Sequence, residues 1–400
     1  MRTRFLCFVL LFLSVSLVSE AQASKQNGNL LLLQGAAQAI TAGKLDKAEN
    51  ELQSVLHSAP GEYHALDLLG VIRVLQRREG EAEDLFRQAI QKKSDFAPAH
   101  AHLGLLYVQM GRPDEAVPEL REVLRINPDR TDASGALVHI LREQSQTAEA
   151  AGNSEKALGF LIEARKYEPD NPDVQFEFGM MALHMSLPQD AIKAFQRALQ
   201  LRENDPTAIY NLGRAYGDLA RFDDARLQFA HYIKLRPDDP SGYCALGMTL
   251  AALERLEEAR VQFERSIAVA PAQTEAYFRL GLLELELKDY DSASKNLHQV
   301  LDREPKHSGA LTALGKIAFD QKRYTEAAHL LQQAIAYNDS MREAHYYLGL
   351  TFAREGRKQD SDEQLQIALR QEHDEVEHRK TLFRTLGPAA LDVQGSQHQK

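Results

Sequence analysis

Small residues return along the chain at a fixed interval. Ala36, Gly70, Gly104 and Val138 stand 34 residues apart, as do Gly179, Gly213, Gly247, Gly281, Gly315 and Gly349, and only the step from 138 to 179, at 41, departs. Twelve positions on comes a second small residue, in Ala48, Ala82, Ala116, Ala191, Ala225, Ala259, Ala293, Ala327 and Ser361. Four further on stands a large apolar one: Leu52, Phe86, Leu120, Phe195, Phe229, Phe263, Leu297, Leu331 or Leu365. Pro60, Pro128, Pro169, Pro237, Pro271 and Pro305 share one offset within their units. A period of this length is the mark of stacked repeats, each too small to bury its apolar face alone. It predicts ten units over residues 29–375, beginning near 29, 63, 97, 131, 172, 206, 240, 274, 308 and 342.

Each unit reads as two amphipathic helices, A and B, separated by a short turn such as Met110-Gly111-Arg112-Pro113-Asp114 or Ala220-Arg221-Phe222-Asp223-Asp224. A glycine or alanine at position eight of helix A and an alanine at position twenty, on helix B, let the two backbones approach. Large residues at positions seven, eleven and twenty-four, for example Leu212, Tyr216 and Phe229, interlock around that contact. Proline at position thirty-two stops helix B. The fourth unit differs: residues 131–151 form one helical stretch, and Ala157, Leu161 and Ala164 resume the pattern after Gly152-Asn153, so seven residues have been added to helix A. Seven residues are about two turns, or roughly 10 Å, and keep the apolar stripe nearly in phase. A helix protruding from the edge of the stack is expected, either as a docking knob or joint between subdomains or as a tolerated insertion.

Composition narrows the class. The 400 residues are 44% hydrophobic and 26% charged, with a mean hydropathy of -0.40, which excludes a multispanning membrane protein. A net charge of -10 provides no global basic field for nucleic acid or an anionic membrane. Two cysteines exclude a disulfide framework and any multi-cysteine metal site. Residues 1–23 read as an export leader: a basic Met1-Arg2-Thr3-Arg4, fourteen residues of apolar run over 5–18, and Ser19-Glu20-Ala21-Gln22-Ala23 ending in an A-x-A pattern. Cleavage after Ala23 is expected, since this run, interrupted by Ser14 and Ser16, falls short of the about 20 residues that span a bilayer. It would remove Cys7, leave Cys244 alone, and place a short polar leader, 24–28, ahead of the repeats.

The repeat resembles the tetratricopeptide repeat family. Residues 206–239 carry the family's small, aromatic and proline positions together, and the resemblance extends over nearly all of the chain beyond the leader. The departures are Gly35-Ala36 in the first unit, Val138 in the fourth and Ser361 in the last; terminal units deviate because one face meets water. The resemblance implies an all-α fold, a right-handed α-solenoid of about ten helix-turn-helix repeats. An amphipathic segment over 376–386 is expected to cap it, followed by a disordered tail over 387–400. The resemblance further implies a ligand in the concave groove lined by helix A, at positions two, five, six, nine, twelve and thirteen. Carried over, position five gives Phe176, Tyr210, Cys244, Phe278, Thr312 and Tyr346, with Met180, Asn211, Arg214, Met248, Arg279, Leu282 and Tyr347 beside them. Such a groove receives an extended or helical peptide through aromatic anchors, with Arg214 and Arg279 fixing an acidic group. The alternative is that these aromatics are family consensus serving packing. The Lys/Asn/Arg constellation by which some members clamp a C-terminal carboxylate is not reproduced, and Asn211 stands alone where sugar-transferase relatives have an asparagine ladder.

Motifs for chemistry are missing: the chain has no HExxH, Walker loop, GxSxG or GxGxxG. His100 and His102, two apart on a helix, point about 200° apart and cannot share a metal, and His373 and His378 also diverge. Asp223-Asp224 and Asp238-Asp239 belong to turns and caps, where they accept backbone hydrogen bonds. Cys244 has no histidine at a matching position in its unit and reads as a small apolar residue rather than a nucleophile. No enzymatic activity, cofactor or metal is therefore expected. The expected partners are other proteins, as extended or helical peptide segments, with neither nucleic acid nor a membrane span once the leader is removed; the oligomeric state stays open. The leading function is a non-enzymatic interaction scaffold of the periplasm or, second, of the secreted space, assembling an envelope, secretion or polysaccharide-export complex. Two alternatives stand beside it: a holdase-like chaperone for exported chains, and the substrate-recruiting subunit of a glycosyltransferase or other enzyme complex.

Overall fold

The computed structural model describes residues 27–386, so the expected leader over 1–23 and tail over 387–400 lie outside the described residues. Twenty α-helices follow one another in pairs, and no strand occurs among the described residues. The first pairs are α1 (Asn27–Thr41) with α2 (Leu45–Ser58), α3 (Tyr63–Leu75) with α4 (Glu79–Lys92), α5 (Ala97–Gln109) with α6 (Pro113–Ile126), and α7 (Thr131–Ala150) with α8 (Ser154–Tyr167). Then come α9 (Pro172–His184) with α10 (Pro188–Leu201), α11 (Pro206–Asp218) with α12 (Phe222–Leu235), and α13 (Pro240–Ala252) with α14 (Leu256–Val269). The last are α15 (Thr274–Glu286) with α16 (Tyr290–Leu301), α17 (Ser308–Asp320) with α18 (Tyr324–Tyr337), and α19 (Arg342–Arg354) with α20 (Lys358–Leu386). The chain divides into two compact units, through Val174 and from Gln175 onward.

All ten turns between helix A and helix B share one backbone feature. Gly43, Arg77, Gly111, Gly152, Ser186, Ala220, Glu254, Lys288, Lys322 and Gly356, one per pair, have φ between 53° and 80°. The next residue donates its N–H to a carbonyl five residues earlier, as Arg78 does to Arg73 and Arg221 to Tyr216, both at 2.9 Å, which closes helix A in a Schellman-type cap. Six of the ten carry a side chain in this left-handed conformation, at a cost of about 1–2 kcal/mol each. Helix starts are also locally satisfied. The Asp205 carboxylate accepts the N–H groups of Thr207 and Ala208 at 2.9 and 3.2 Å, and Asp239 accepts that of Ser241 at 2.9 Å. Asp224, expected in a similar role, instead accepts from the Arg221 guanidinium at 2.8 Å.

In eight of the ten pairs the seam is built from a glycine beneath a large side chain; Ala36 and Val138 take its place in the first and fourth. A Cβ on Gly70, Gly179 or Gly247 would lie 2.6 Å from the ring of Phe86, Phe195 or Phe263, and one on Gly104 would lie 3.0 Å from Leu120. The partner of the position-eight glycine is thus the residue at position twenty-four. The position-twenty alanines, from Ala48 to Ala327, are fully buried beside it.

In the first unit one apolar core runs from Leu33 to Val174. Here α7 has 20 residues where α5 has 13, and its inner stripe continues through the buried Leu141, Ser145 and Ala148. The Ser145 hydroxyl donates to the Ala157 carbonyl, and the Gln144 amide to the Asp114 carboxylate, each at 3.0 Å. These two bonds hold the added turns to α8 and to the start of α6.

His100 and His102 diverge. His100 Nδ1 lies 2.6 Å from Glu119 and its Nε2 lies 2.9 Å from the Ser94 carbonyl, whereas His102 Nδ1 lies 2.7 Å from the buried Asp67. Burial lowers the His100 pKa, but the bonds to Glu119 and Ser94 and the charges of Glu119 and Glu122 outweigh it, and the net direction is upward. A raised folded-state value means that the stabilisation is complete below the ordinary histidine value of about 6.5 and is lost as pH rises through the folded value. The first unit is expected to melt lower as pH climbs through that window. His100→Gln should flatten the dependence; a variant whose melting temperature tracks pH as steeply as the parent would refute the assignment.

In the second unit the helix pairs continue to α20, which runs unbroken for 29 residues. Residues 376–386, expected as a capping helix, continue the tenth pair's helix B without a break. No glycine or proline between Lys358 and Leu386 interrupts it. His373 is exposed on this helix, and His378 lies outside the residues whose side chains are described.

Candidate peptide-binding groove

The groove positions of the second unit divide into core and surface. At position five, Phe176 packs on Phe195 with ring centroids 5.7 Å apart, and Tyr210 packs on Phe229 and Tyr232 at 5.4 and 5.1 Å, so both rings bind helix A to its own helix B. Cys244 and Thr312 are buried, and the Thr312 hydroxyl donates to the Ser308 carbonyl at 2.9 Å. Burial raises the Tyr210 pKa and pushes that of the Cys244 thiol up to about 11, which keeps the thiol protonated and inert near neutrality. Asn211 is also buried; its amide donates to the Thr207 carbonyl at 2.9 Å and its oxygen accepts from Arg214 at 3.1 Å. Met180 is half-buried, while Met248 and Tyr346 are 42% and 46% exposed. Arg214 is exposed, but Arg279 is held by Glu275, one turn earlier on α15, at 2.6 Å.

Between α15, α17 and α19 lies a pocket of about 340 Å³. Its apolar lining comes from Phe278, Leu282 and Leu285 of α15, Ala313 of α17, and Met341 at the N-cap of α19. Phe278 is fixed by tilted ring contact with His307, with centroids 4.6 Å apart, and by its close approach to Gly309, where a Cβ would stand 2.9 Å from the ring. Three charged side chains complete the lining: Glu286, Lys316 and Glu343. Lys316 Nζ is 3.4 Å from Glu343 and lies over the Tyr347 ring, 5.2 Å from its centroid. Burial lowers the Lys316 pKa, but Tyr347 and Glu343 reverse this and hold it above the usual lysine value, so the amine stays charged. Tyr347 is supported from behind by Phe319 at 5.8 Å.

Of the residues named from the sequence, Phe278, Leu282 and Thr312 line this pocket; Phe176, Met180, Tyr210, Asn211, Arg214, Cys244, Met248, Arg279, Tyr346 and Tyr347 do not. Glu286, Lys316 and Glu343 were missed. They stand at positions thirteen, nine and two, so they fall on the same positional rule that selected Leu282. The described residues contain no group of three or more His, Cys, Asp or Glu side chains placed to hold a metal, and no helix long and apolar enough to cross a membrane.

Tetratricopeptide repeat family models match residues 33–98, 142–208, 244–294, 278–330 and 312–372, and, in a second form, residues 74–140 and 182–246. The chain belongs to the tetratricopeptide repeat family. Tetratricopeptide repeat proteins generally mediate protein–protein interaction, and their scaffold is typically non-enzymatic. This tetratricopeptide chain is similar to the type IV pilus assembly protein PilF of Pseudomonas aeruginosa, 28% identical over an alignment of 149 residues, with 30% of the chain and 59% of PilF covered. It is also similar to cellulose synthase 2 operon protein C of Komagataeibacter xylinus, 29% identical over 45% of the chain and 13% of that protein, and to human DnaJ homolog subfamily C member 3, 23% identical over 45% and 37%. The chain thus spans 59% or less of the length of each of these relatives. Among solved structures, MamA from Desulfovibrio magneticus RS-1 matches 43% of the chain and 97% of its own, with 22% identity and a TM-score of 0.41. The P58(IPK) TPR domain matches 83% and 99%, with 18% identity and a TM-score of 0.30.

Proposed function

We propose that this tetratricopeptide chain is a non-enzymatic scaffold of the cell envelope or secreted space that binds peptide segments of partner proteins in the groove of its second unit. The observation that carries this reading is the pocket between α15, α17 and α19, where apolar side chains and three charged groups meet at helix A positions. At about 340 Å³ it falls in the ~300–1,000 Å³ range of ligand pockets. Export is supported by the leader pattern of residues 1–23, with the periplasm ahead of secretion. Two relatives, one named for type IV pilus assembly and one for a cellulose synthase operon, are consistent with a role in building an envelope assembly.

Affinity capture from the exporting cell, with the cleaved chain and its Leu282→Asp variant side by side, tests this function. A partner held by the parent chain and retained at least about tenfold less by the variant, with unchanged helicity, is the expected result. A partner retained equally by both would remove the groove as its site.

A further inference from the structure

The groove's charges point to a partner opposite in sign to the one its arginines suggest. We propose that the pocket between α15, α17 and α19 selects a segment in which a large apolar side chain lies next to a lysine or arginine. This inference rests on the peptide-binding reading above and specifies the chemistry of the peptide.

The basic groups at this site are already engaged. Arg279 is neutralised by Glu275 at 2.6 Å, and Lys316 is paired with Glu343 at 3.4 Å and stacked on Tyr347. A carboxylate entering the pocket would have to displace Glu343 from Lys316 while facing Glu286 as a like charge, and such juxtapositions disfavour a partner. In both pairs the carboxylate is the more exposed partner. Glu286 lines the pocket and is exposed; Asp320, one turn beyond Lys316 on α17, is also exposed and accepts the Tyr290 hydroxyl at 3.3 Å. Of the charged residues that line the pocket, Glu286 and Glu343 outnumber Lys316, so its lining carries net negative charge. An apolar side chain seated among Phe278, Leu282 and Met341 would carry its neighbouring cation to the rim, within reach of Glu286 and Glu343. The apolar contact supplies most of the affinity, and the rim pair supplies the choice of partner and a dependence on salt.

The probe is a displayed library of random peptides about twelve residues long, selected on the cleaved full chain and on its Leu282→Asp and Glu286→Lys variants. Parent selections are expected to enrich lysine or arginine within two residues of an aromatic or large aliphatic residue. A synthetic peptide of that consensus should bind about tenfold more weakly to Glu286→Lys and to Leu282→Asp, and more weakly to the parent as salt rises. Far-ultraviolet spectra of both variants verify the fold. An acidic consensus that is lost on Leu282→Asp overturns the charge assignment and leaves the groove standing, as does a basic peptide that binds Glu286→Lys undiminished. No enrichment, or enrichment indifferent to Leu282→Asp, removes the groove and this proposal with it.

Discussion

Ala225→Arg is expected to destabilise the second unit by roughly 4 kcal/mol, enough to melt the α11–α12 pair at temperatures where the parent chain remains folded. Ala225 is fully buried at position twenty, on α12, in the seam that also holds Gly213 beneath the Phe229 ring. An arginine there must either drive the two helices apart or strip its guanidinium of water, and interior overpacking alone costs about 1–3 kcal/mol. The effect should not stay local. A helix pair of this size depends on its neighbours for burial, so the loss should pass to α10 and α13, which pack on this pair. Thermal unfolding gives the size of the change, and native-state hydrogen exchange gives its place, with protection lost first in α11 and α12. A melting curve identical to that of the parent would contradict the packing described for this seam.

The paired helices were legible in the sequence because what produces them is periodic and local. Closest approach favours a small residue at position eight and, the fourth pair apart, the turn follows at a fixed distance, so chemistry and spacing repeat together. The left-handed turn residue was not legible, because glycine occupies it in Gly43, Gly111, Gly152 and Gly356 but not in Arg77, Ser186, Ala220, Glu254, Lys288 or Lys322. There the backbone hydrogen bonds across the turn impose the conformation against side-chain preference. The groove was legible in part. Phe278 and Leu282 follow from position and apolar character, but how deeply a position-five side chain sinks depends on what helix B offers it. Phe195 and Phe229 draw Phe176 and Tyr210 into the core, whereas Phe278 turns toward His307 and Gly309 of the next pair. The pairing of Arg279 with Glu275, four residues away on the same helix, was within reach of the sequence, because opposite charges at this spacing meet on one helix face.

Phe263→Ala is expected to cost roughly 3–5 kcal/mol and Gly247→Ala roughly 1–3 kcal/mol, with the two effects strongly coupled. Phe263 is 2% exposed, and three of its ring carbons lie 2.6, 2.8 and 3.0 Å from where a Gly247 Cβ would stand. Removing the ring leaves a cavity; adding the methyl forces the ring away. Once the ring is gone the methyl has room, so Gly247→Ala should be nearly neutral in the Phe263→Ala background, with a coupling energy of about 1–3 kcal/mol in the double-mutant cycle. The chain also contains the alternative solution to the same geometry. In the pairs Gly281/Leu297 and Gly315/Leu331 a branched aliphatic covers the glycine, approaching to 2.9 and 2.6 Å, so leucine is as close a fit as phenylalanine. Phe263→Leu should therefore cost much less than Phe263→Ala while leaving Gly247→Ala unfavourable. Additive costs across the cycle would mean that ring and glycine do not touch in solution, and the contact that recurs in pair after pair would lose its claim to set how close the two helices lie.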